Sequence, residues 1–205
     1  MITLECEQYS DEWWQARLGL PTASKFGEIV TTKGEPSKSS DKYLYQLATE
    51  LVTGNSAGTS YQNAAMVRGH EIEAEARSLF EFSRDVEVKQ VGLIYSDPLR
   101  LFGASPDGLL EDAGLEIYSP ESPAAVYCLL NPEKAITHAK KFQQIQGSLF
   151  ISGFDRWFFE MYYPGLPPLI QEVRRDEEFI SKLEAELEKF VMELAMVTKK
   201  LKGML

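Results

Sequence analysis

Two acidic residues on neighbouring strand-like runs are the first feature of this sequence that could do chemistry. Asp107 lies in the segment 105–108 (SPDG) and Glu116 in the segment 115–118 (LEIY). Adjacent hairpin strands would bring the two carboxylates together. Two anions a few ångströms apart repel each other unless a cation or a shared proton compensates, so the pair indicates a site for a hard ion such as Mg²⁺. The spacing alone also fits a turn aspartate and a solvent-facing strand glutamate.

Two more polar side chains lie on predicted helices. Glu73 belongs to the amphipathic stretch 62–82, where it could be a solvated charge or an i,i+4 partner for Arg77. Gln144 lies in a second helical stretch that is rich in glutamine. Neither residue indicates a site when it is taken alone.

The composition limits the class of protein. A chain of 205 residues that is 44% hydrophobic can bury a sizeable core. Its two cysteines and two histidines have neither the number nor the spacing of a disulfide framework or a zinc site. No apolar run approaches the roughly 20 residues of a membrane span, and residues 1–6 lack a signal-peptide pattern. We therefore expect a cytoplasmic protein with no membrane partner.

The formal net charge of -10 argues at first sight against a nucleic-acid partner, because phosphate binding draws on clustered lysine and arginine. An enzyme that binds divalent cations must concentrate carboxylates, however, and some of the acidity lies on the predicted C-terminal helix. The total charge therefore leaves the partner open.

Hydrophobic spacing predicts the elements that would position these residues. Helices are predicted at 11–18, 42–52 with Asp41 as its cap, 62–82, 133–151 and 177–202. Strands are predicted at 86–96, 100–104, 108–111 and 115–118, which would form one small sheet, and at 157–163 and 169–174. We expect one α/β domain over 1–205, with a helical N-terminal region (residues 1–84), a mixed sheet flanked by helices and a C-terminal helix 177–202.

Five ordered segments together resemble the bacteriophage lambda exonuclease family of viral recombination nucleases, within the PD-(D/E)xK superfamily. The segments are 13–24 (WWQARLGLPTAS), 69–82 (GHEIEAEARSLFEF), 105–108 (SPDG), 115–120 (LEIYSP) and the helix around Gln144 and Gln146. The resemblance implies a restriction-endonuclease-like core. It also implies a metal-dependent 5′ to 3′ exonuclease that releases mononucleotides from one strand of duplex DNA and leaves a 3′ single strand.

The resemblance assigns a role to each residue of the metal site. Asp107 and Glu116 would bind the catalytic Mg²⁺, for which Mn²⁺ could substitute, and the backbone carbonyl of Ile117 would be a further ligand. Glu73 corresponds to the family's helix-borne acid near the metals. Gln144 corresponds to a glutamine that lines the same site.

A second group matches the family's pocket for a 5′-terminal phosphate. It consists of Arg17, Ser24 and Ser105, and a guanidinium with two hydroxyls can satisfy several phosphate oxygens. Without the resemblance, Arg17 could be a surface helix charge and Ser24 a helix cap. We expect Trp13 and Trp14 to be packing residues rather than platforms for base stacking.

The resemblance also implies partners. Family members form a ring-shaped homotrimer through which duplex DNA passes, act on double-stranded DNA ends, and hand the remaining strand to a single-strand annealing protein. A phage or prophage origin in a bacterial host is implied as well.

Tyr118 departs from the family pattern, because a catalytic lysine is expected at that position. A phenol is neutral at pH 7 and provides a hydrogen bond without a fixed positive charge. Three interpretations stand: a lysine supplied from elsewhere in the chain, an inactive homologue kept for binding DNA ends, and an introduced substitution.

No other lysine of the sequence is obviously placed to replace the missing one, and the lysines of the predicted helix 133–151 are Lys134, Lys140 and Lys141. Their positions on this helix indicate phosphate contacts or solvated charges instead. The sequence therefore predicts greatly weakened cleavage.

Overall fold

Most of the predicted helices agree with the structure to within about two residues at each end, whereas the helix Ser122–Leu130 was not predicted. The computed structural model describes residues 1–56 and 64–205, and of residues 64–71 only the backbone. Within these ranges the α-helices are α1 (Asp11–Arg17), α2 (Phe26–Ile29), α3 (Ser40–Thr53), α4 (Ala64–Arg84), α5 (Ser122–Leu130), α6 (Ala135–His138), α7 (Phe142–Ser152) and α8 (Glu177–Lys202). Short 3-10 turns cover Ala23–Lys25 and Pro132–Lys134. The predicted helix start at Gln62 lies outside the described residues.

Seven strands lie within the same ranges. They are β1 (Ile2–Leu4), β2 (Leu93–Tyr95), β3 (Gly103–Ala104), β4 (Gly108–Leu109), β5 (Ala113–Tyr118), β6 (Arg156–Met161) and β7 (Leu169–Arg174). The sequence did not predict β1, which precedes the first helix. The predicted strands 86–96 and 100–104 shorten to β2 and β3.

The prediction that the four middle strands form one small sheet was wrong. β2 and β3 join β1 in a three-stranded sheet, whereas β4 and β5 join β6 and β7 in a four-stranded sheet. β5 and β6 run parallel, and the other pairs are antiparallel. The parallel pair requires the long crossover through α5, α6 and α7. The predicted fold class, a mixed sheet flanked by helices, is confirmed.

The predicted helix 133–151 is broken in the structure. α6 ends after one turn and α7 begins at Phe142. Lys140 between them has a left-handed backbone with φ 56°. Its N–H donates to the carbonyl of Thr137 (3.1 Å), and the N–H of Lys141 donates to that of Ile136 (3.0 Å). This is the Schellman arrangement that ends helices. Its left-handed residue is usually glycine, so with a lysine there the sequence does not signal the helix end.

The predicted cap of α3 was also wrong. The helix begins at Ser40, earlier than expected, and Ser39 precedes it as the cap residue. Asp41 therefore lies in the first turn, where a carboxylate interacts favourably with the helix dipole.

The long helix α8 closes the structure by packing along α3 rather than on a sheet. Its buried residues recur at helical spacing, and the ring of Phe190 stacks on Tyr43 at 5.7 Å between centroids. α7 fits between α2 and the sheet because Gly147 has no side chain: a Cβ atom there would lie 2.4 Å from the ring of Phe26. This close approach fixes the position of α7 beside β5.

Across the described segments of the chain, 1–56 and 64–205, none of the helices combines the length and apolar character needed to cross a membrane.

Candidate active site

The hairpin of β4 and β5 brings Asp107 and Glu116 together. Asp107 immediately precedes β4, its N–H donates to the carbonyl of Leu115 (3.1 Å), and its Oδ2 accepts from the N–H of Ile117 (2.7 Å). Glu116 lies in the middle of β5 with only 2% of its side chain exposed. The hairpin that the sequence predicted therefore places both carboxylates at one end of β4.

Ile117 lies on β5 beyond the end of β4. Its N–H points towards Asp107, and the carbonyl of the same residue leaves a strand on the same side as its N–H. The Ile117 carbonyl is thus directed to the strand edge that carries Asp107. This geometry agrees with its predicted role as a metal ligand.

One oxygen of Glu116 is fully engaged and the other is not. Oε1 accepts hydrogen bonds from Nε2 of Gln144 (2.6 Å) and Nζ of Lys141 (2.6 Å). Oε2 is buried without a hydrogen-bond partner. A buried carboxylate oxygen without a partner is unfavourable, and a cation would relieve this cost.

Lys141 lies in this site, so its interpretation as a solvated charge was wrong. Its side chain is 23% exposed, and its Nζ also donates to Oε1 of Gln144 (3.1 Å). Lys141 precedes the first residue of α7 and lies three residues before Gln144, so both side chains lie on the helix face that meets β5.

Burial and mutual repulsion shift the pKa values of the acids of the site. Burial raises the pKa of Glu116 to about 8, with Lys141 acting in the opposite direction and Asp107 adding to the rise. Burial likewise raises the pKa of Asp107, although Lys141 opposes it. For Lys141, burial alone would lower the pKa, but Glu116 and Asp107 outweigh it and the pKa is raised. The ammonium is therefore the stable form of Lys141.

Glu73 approaches the pair from α4. It lines a cavity of about 510 Å³ together with Tyr9, Arg77 and Asp107. Burial and the nearby Asp107 raise the pKa of Glu73 to about 7. Arg77, its possible i,i+4 partner, donates from Nε to the carbonyl of Asp107 (3.0 Å). Glu73 therefore faces the site, as expected for an acid near the metals.

Among the described residues, no three histidine, cysteine, aspartate or glutamate side chains are close enough to form a metal cluster. Asp107, Glu116 and the backbone carbonyl of Ile117 are the candidate metal ligands, and Glu73 lines the cavity beside Asp107.

Tyr118 packs on a neighbouring strand at the position where the family pattern has a catalytic lysine. Its ring stacks on Phe159 of β6, with 6.2 Å between the centroids, and it packs against the hydrophobic core. Burial raises the pKa of Tyr118 above its ordinary value. The side chain remains a neutral phenol.

The predicted phosphate pocket is also assembled. Arg17 donates from one terminal nitrogen to Oγ of Ser105 (3.0 Å) and from the other to Oγ1 of Thr22 (3.2 Å). The exposed hydroxyl of Ser24 lies 3.4 Å from that of Thr22. The guanidinium lies over the ring of Trp13 at 4.3 Å. The structure brings Arg17, Ser24 and Ser105 together, with Thr22 as the link that the sequence did not indicate.

Trp13 is a packing residue, as the sequence predicted. It is 5% exposed, and its indole N–H donates to Ser105 Oγ and to the carbonyl of Gly92, both at 3.0 Å. Trp14 stacks edge-on against it with 4.6 Å between the centroids.

Tyr9 was missed by the sequence analysis. It is half-buried, it contacts the ring of Trp13 (4.9 Å) and it has a left-handed backbone with φ 68°. Burial raises the pKa of Tyr9. Glu73 and Asp107 add to this rise, whereas Arg17 and Lys141 oppose it. Tyr9 therefore lies between the carboxylates and the Arg17 pocket. An isolated tyrosine at a turn carries no sequence signal for such a position.

Comparisons with known proteins show the family and the fold of this chain. A family model described as the YqaJ-like viral recombinase domain matches residues 12–155. The alkaline exonuclease LHK-Exo from Laribacter hongkongensis is 30% identical, with 95% of this chain and 97% of that chain covered and a TM-score of 0.81. A structure of LHK-Exo in complex with dAMP gives a TM-score of 0.82 at the same identity and coverage.

A more distant structure supports the fold alone. The phage-related exonuclease from Haemophilus somnus 129PT has 12% identity and a TM-score of 0.69, over 91% of this chain and 96% of that one. No curated protein sequence matches the chain. The resemblance to viral recombination nucleases is confirmed: the chain belongs to the YqaJ-like viral recombinase family and has the PD-(D/E)xK-type fold of phage exonucleases.

Proposed function

We propose that this protein is a metal-dependent exonuclease that degrades one strand of double-stranded DNA from its 5′ end, in phage-type recombination. The observation that carries the proposal is the short link between the two groups of site residues. Ser105 contacts Arg17, and Asp107 lies two residues further along the chain than Ser105, so the Cα atoms of Ser105 and Asp107 are at most about 7 Å apart. A terminal phosphate at Arg17 would place the following phosphodiester near the carboxylates.

The donor set suits Mg²⁺, with Mn²⁺ as a possible substitute. Mg²⁺ prefers oxygen ligands and is usually held by one or two carboxylates together with water and substrate phosphates. Asp107, the orphaned Oε2 of Glu116 and the carbonyl of Ile117 are such ligands. When bound, the cation would neutralise the scissile phosphate, acidify a water molecule and stabilise the leaving oxygen.

The residues of this chain would orient the reaction. Arg17, Ser24 and Ser105 hold the 5′-phosphate, and Gln144 fixes Glu116 through its amide. Hydrolysis joins the water oxygen to phosphorus and breaks the bond from phosphorus to the 3′ oxygen of the terminal nucleotide. One proton of the water ends on that 3′ oxygen, and the second is released to solvent. The product is a 5′-mononucleotide. The LHK-Exo structure contains dAMP, which is a deoxynucleoside monophosphate.

A nuclease assay tests this proposal. Linear duplex DNA with 5′-phosphates should be shortened in Mg²⁺ or Mn²⁺, with mononucleotide products and a growing 3′ single strand, and a chelator should stop the reaction. Duplexes blocked at one 5′ or one 3′ end establish the polarity. Acid-soluble product from 5′-blocked ends at the same rate would contradict the 5′ to 3′ direction.

Tyr118 favours a second candidate, a DNA-end-binding homologue without turnover. In that case the protein would bind 5′-phosphorylated ends and a metal but leave DNA intact, and Tyr118→Lys would create or strongly increase cleavage. Equal cleavage by the wild type and Tyr118→Lys would contradict it.

We also propose, from the family resemblance, a homotrimer ring around duplex DNA and a single-strand annealing protein as partner. Light scattering of the purified protein should give three times the mass of one chain, 23.2 kDa each. A monomeric mass at working concentration would exclude the ring.

A further inference from the structure

We propose that Lys141 is the catalytic lysine of this protein. It reaches the site from the N-terminus of α7 and replaces the lysine that the family pattern has on β5, at the position of Tyr118. The inference rests on the proposed nuclease function. Its starting point is the position of the ammonium: Nζ lies 2.6 Å from Oε1 of Glu116.

The faces of β5 explain why a lysine on α7 can replace one at position 118. Alternate residues of a strand point to the same face, so Glu116 and position 118 share the face on which α7 packs. The ring of Tyr118 stacks on Phe159, which is the register partner of Glu116 on β6, so it lies beside the carboxylate that Lys141 contacts. A lysine at 118 and a lysine at 141 would therefore bring their ammonium groups to the same space.

The ammonium has a donor left for the reaction. A lysine has three N–H donors and no acceptor. Glu116 and Gln144 take two of them within the described residues. The third can bind the attacking water or a phosphate oxygen, where its charge offsets the negative charge that builds up during hydrolysis. Because an ammonium has no lone pair, Lys141 orients the water and does not remove its proton.

The local backbone gives a second and independent argument. Lys141 occupies the cap position of α7, where a lysine side chain makes no cap hydrogen bond. A cation is also unfavourable at a helix N-terminus, because it meets the positive end of the helix dipole. Lys140 before it has a left-handed backbone. A lysine at this position is therefore unfavourable for the stability of the helix, but it brings an ammonium group to the carboxylates.

A purely structural ion pair is the alternative role for Lys141. Such a pair would be expected to satisfy the buried acid, yet Oε2 of Glu116 keeps no partner while Lys141 and Gln144 both bind Oε1. The lysine leaves free the oxygen that a cation would need. This arrangement fits a group that works beside a metal rather than one that replaces it.

The experiment compares Lys141→Met with Lys189→Met. Methionine keeps most of the length of the side chain and removes its charge, whereas Lys189 is an exposed lysine of α8, 2.6 Å from Glu186. We expect Lys141→Met to lower kcat by about 10² to 10⁴ with little change in KM for 5′-phosphorylated duplex DNA. Lys189→Met should cleave within about threefold of the wild type. Thermal melting verifies that each variant folds.

Two further measurements separate a catalytic role from a structural one. Calorimetric Mn²⁺ titration should show equal or tighter binding by Lys141→Met, since a competing cation has been removed from Glu116. The double variant Lys141→Met with Tyr118→Lys should cleave at least tenfold faster than Lys141→Met alone. If Lys141→Met fails to fold, Lys141→Arg takes its place, and it should keep folding and metal binding but lose rate.

Each outcome supports or overturns the role of Lys141. Full cleavage by Lys141→Met in an active enzyme overturns that role and leaves the nuclease function standing. Loss of Mn²⁺ binding in a folded Lys141→Met, or no recovery in the double variant, also overturns it. A wild type that binds Mn²⁺ but cleaves no DNA overturns the proposed function, and the inference fails with it.

Discussion

The carboxylate site and the Arg17 pocket lie side by side but differ in how completely their polar groups are satisfied. In the Arg17 pocket, both terminal guanidinium nitrogens have hydroxyl partners and a tryptophan ring lies beneath them. In the carboxylate site, three acids have raised pKa values and one buried oxygen of Glu116 has no partner.

The difference indicates that the two regions need different ligands. The pocket is preorganised by neutral hydroxyls around one cation, which suits a phosphate. In the carboxylate site, burial and neighbouring charges raise the pKa values of three acids, so a bound cation would stabilise their charged forms. One region suits recognition of the DNA end, and the other suits the metal for its hydrolysis.

The largest effect should follow from Asp107→Ala, which breaks the carboxylate site. We expect cleavage to fall on the order of 10⁴-fold and Mn²⁺ binding to be lost, because one of two carboxylate ligands is gone. Cleavage rates and calorimetry measure both. Asp112→Ala is the matched control, since Asp112 is an exposed acid of the same hairpin, paired with Arg156 at 2.8 Å. Equal activity of the two variants would contradict the metal site.

Stability should depend on pH and metal together. In chelator, Glu73 and Glu116 have folded pKa values of about 7 and 8, above their ordinary 4.5. The folded state therefore binds more protons than the unfolded state, and the free energy of unfolding falls as pH rises from about 5 to 8. Mn²⁺ needs the deprotonated acids, so at 100 times Kd it should add about 2.7 kcal/mol at pH 8 and much less at pH 5. Thermal melts with an unchanged Mn²⁺ effect at both pH values would speak against this coupling.

Arg17→Lys should weaken the other region without removing its charge. A lysine cannot bind Ser105 and Thr22 at once in the fixed geometry of a guanidinium. We expect the preference for 5′-phosphate over 5′-hydroxyl ends to fall about tenfold, with Mn²⁺ affinity unchanged. Competition assays with the two kinds of duplex measure the preference. A parallel loss of Mn²⁺ binding would show that the two regions are not separable.

The smallest effect is expected for Thr22→Val. Valine has the shape of threonine and removes only the hydroxyl that lies 3.2 Å from Arg17 and 3.4 Å from Ser24. The lost hydrogen bond should cost about 1 kcal/mol, or roughly a fivefold weaker affinity for phosphorylated ends. Fluorescence anisotropy with a chelator present measures that affinity. An affinity equal to that of the wild type would show that Thr22 does not contribute to binding of the phosphorylated end.

Much of the site could be predicted from the sequence because its components are local. Asp107 and Glu116 lie on one hairpin, whose alternating pattern and turn are visible in adjacent residues. β7 and α8 were predicted with the bounds that the structure shows, since strict periodicity marks both. The short strands were overextended, because pairing with distant partners decides where a strand ends.

The sequence by itself indicated the family, and through that resemblance it predicted roles for the carboxylate hairpin, Glu73, Gln144 and the Arg17 pocket. The tertiary structure decided the position of Lys141. That residue reaches the site because α7, which it precedes as the cap residue, packs beside β5, where Gly147 lets the helix approach Phe26 closely. No local period predicts this packing, because it joins segments more than one hundred residues apart in the chain. A missing lysine on one strand was therefore visible in the sequence, and a lysine that reaches the same place from a helix was visible only in the fold.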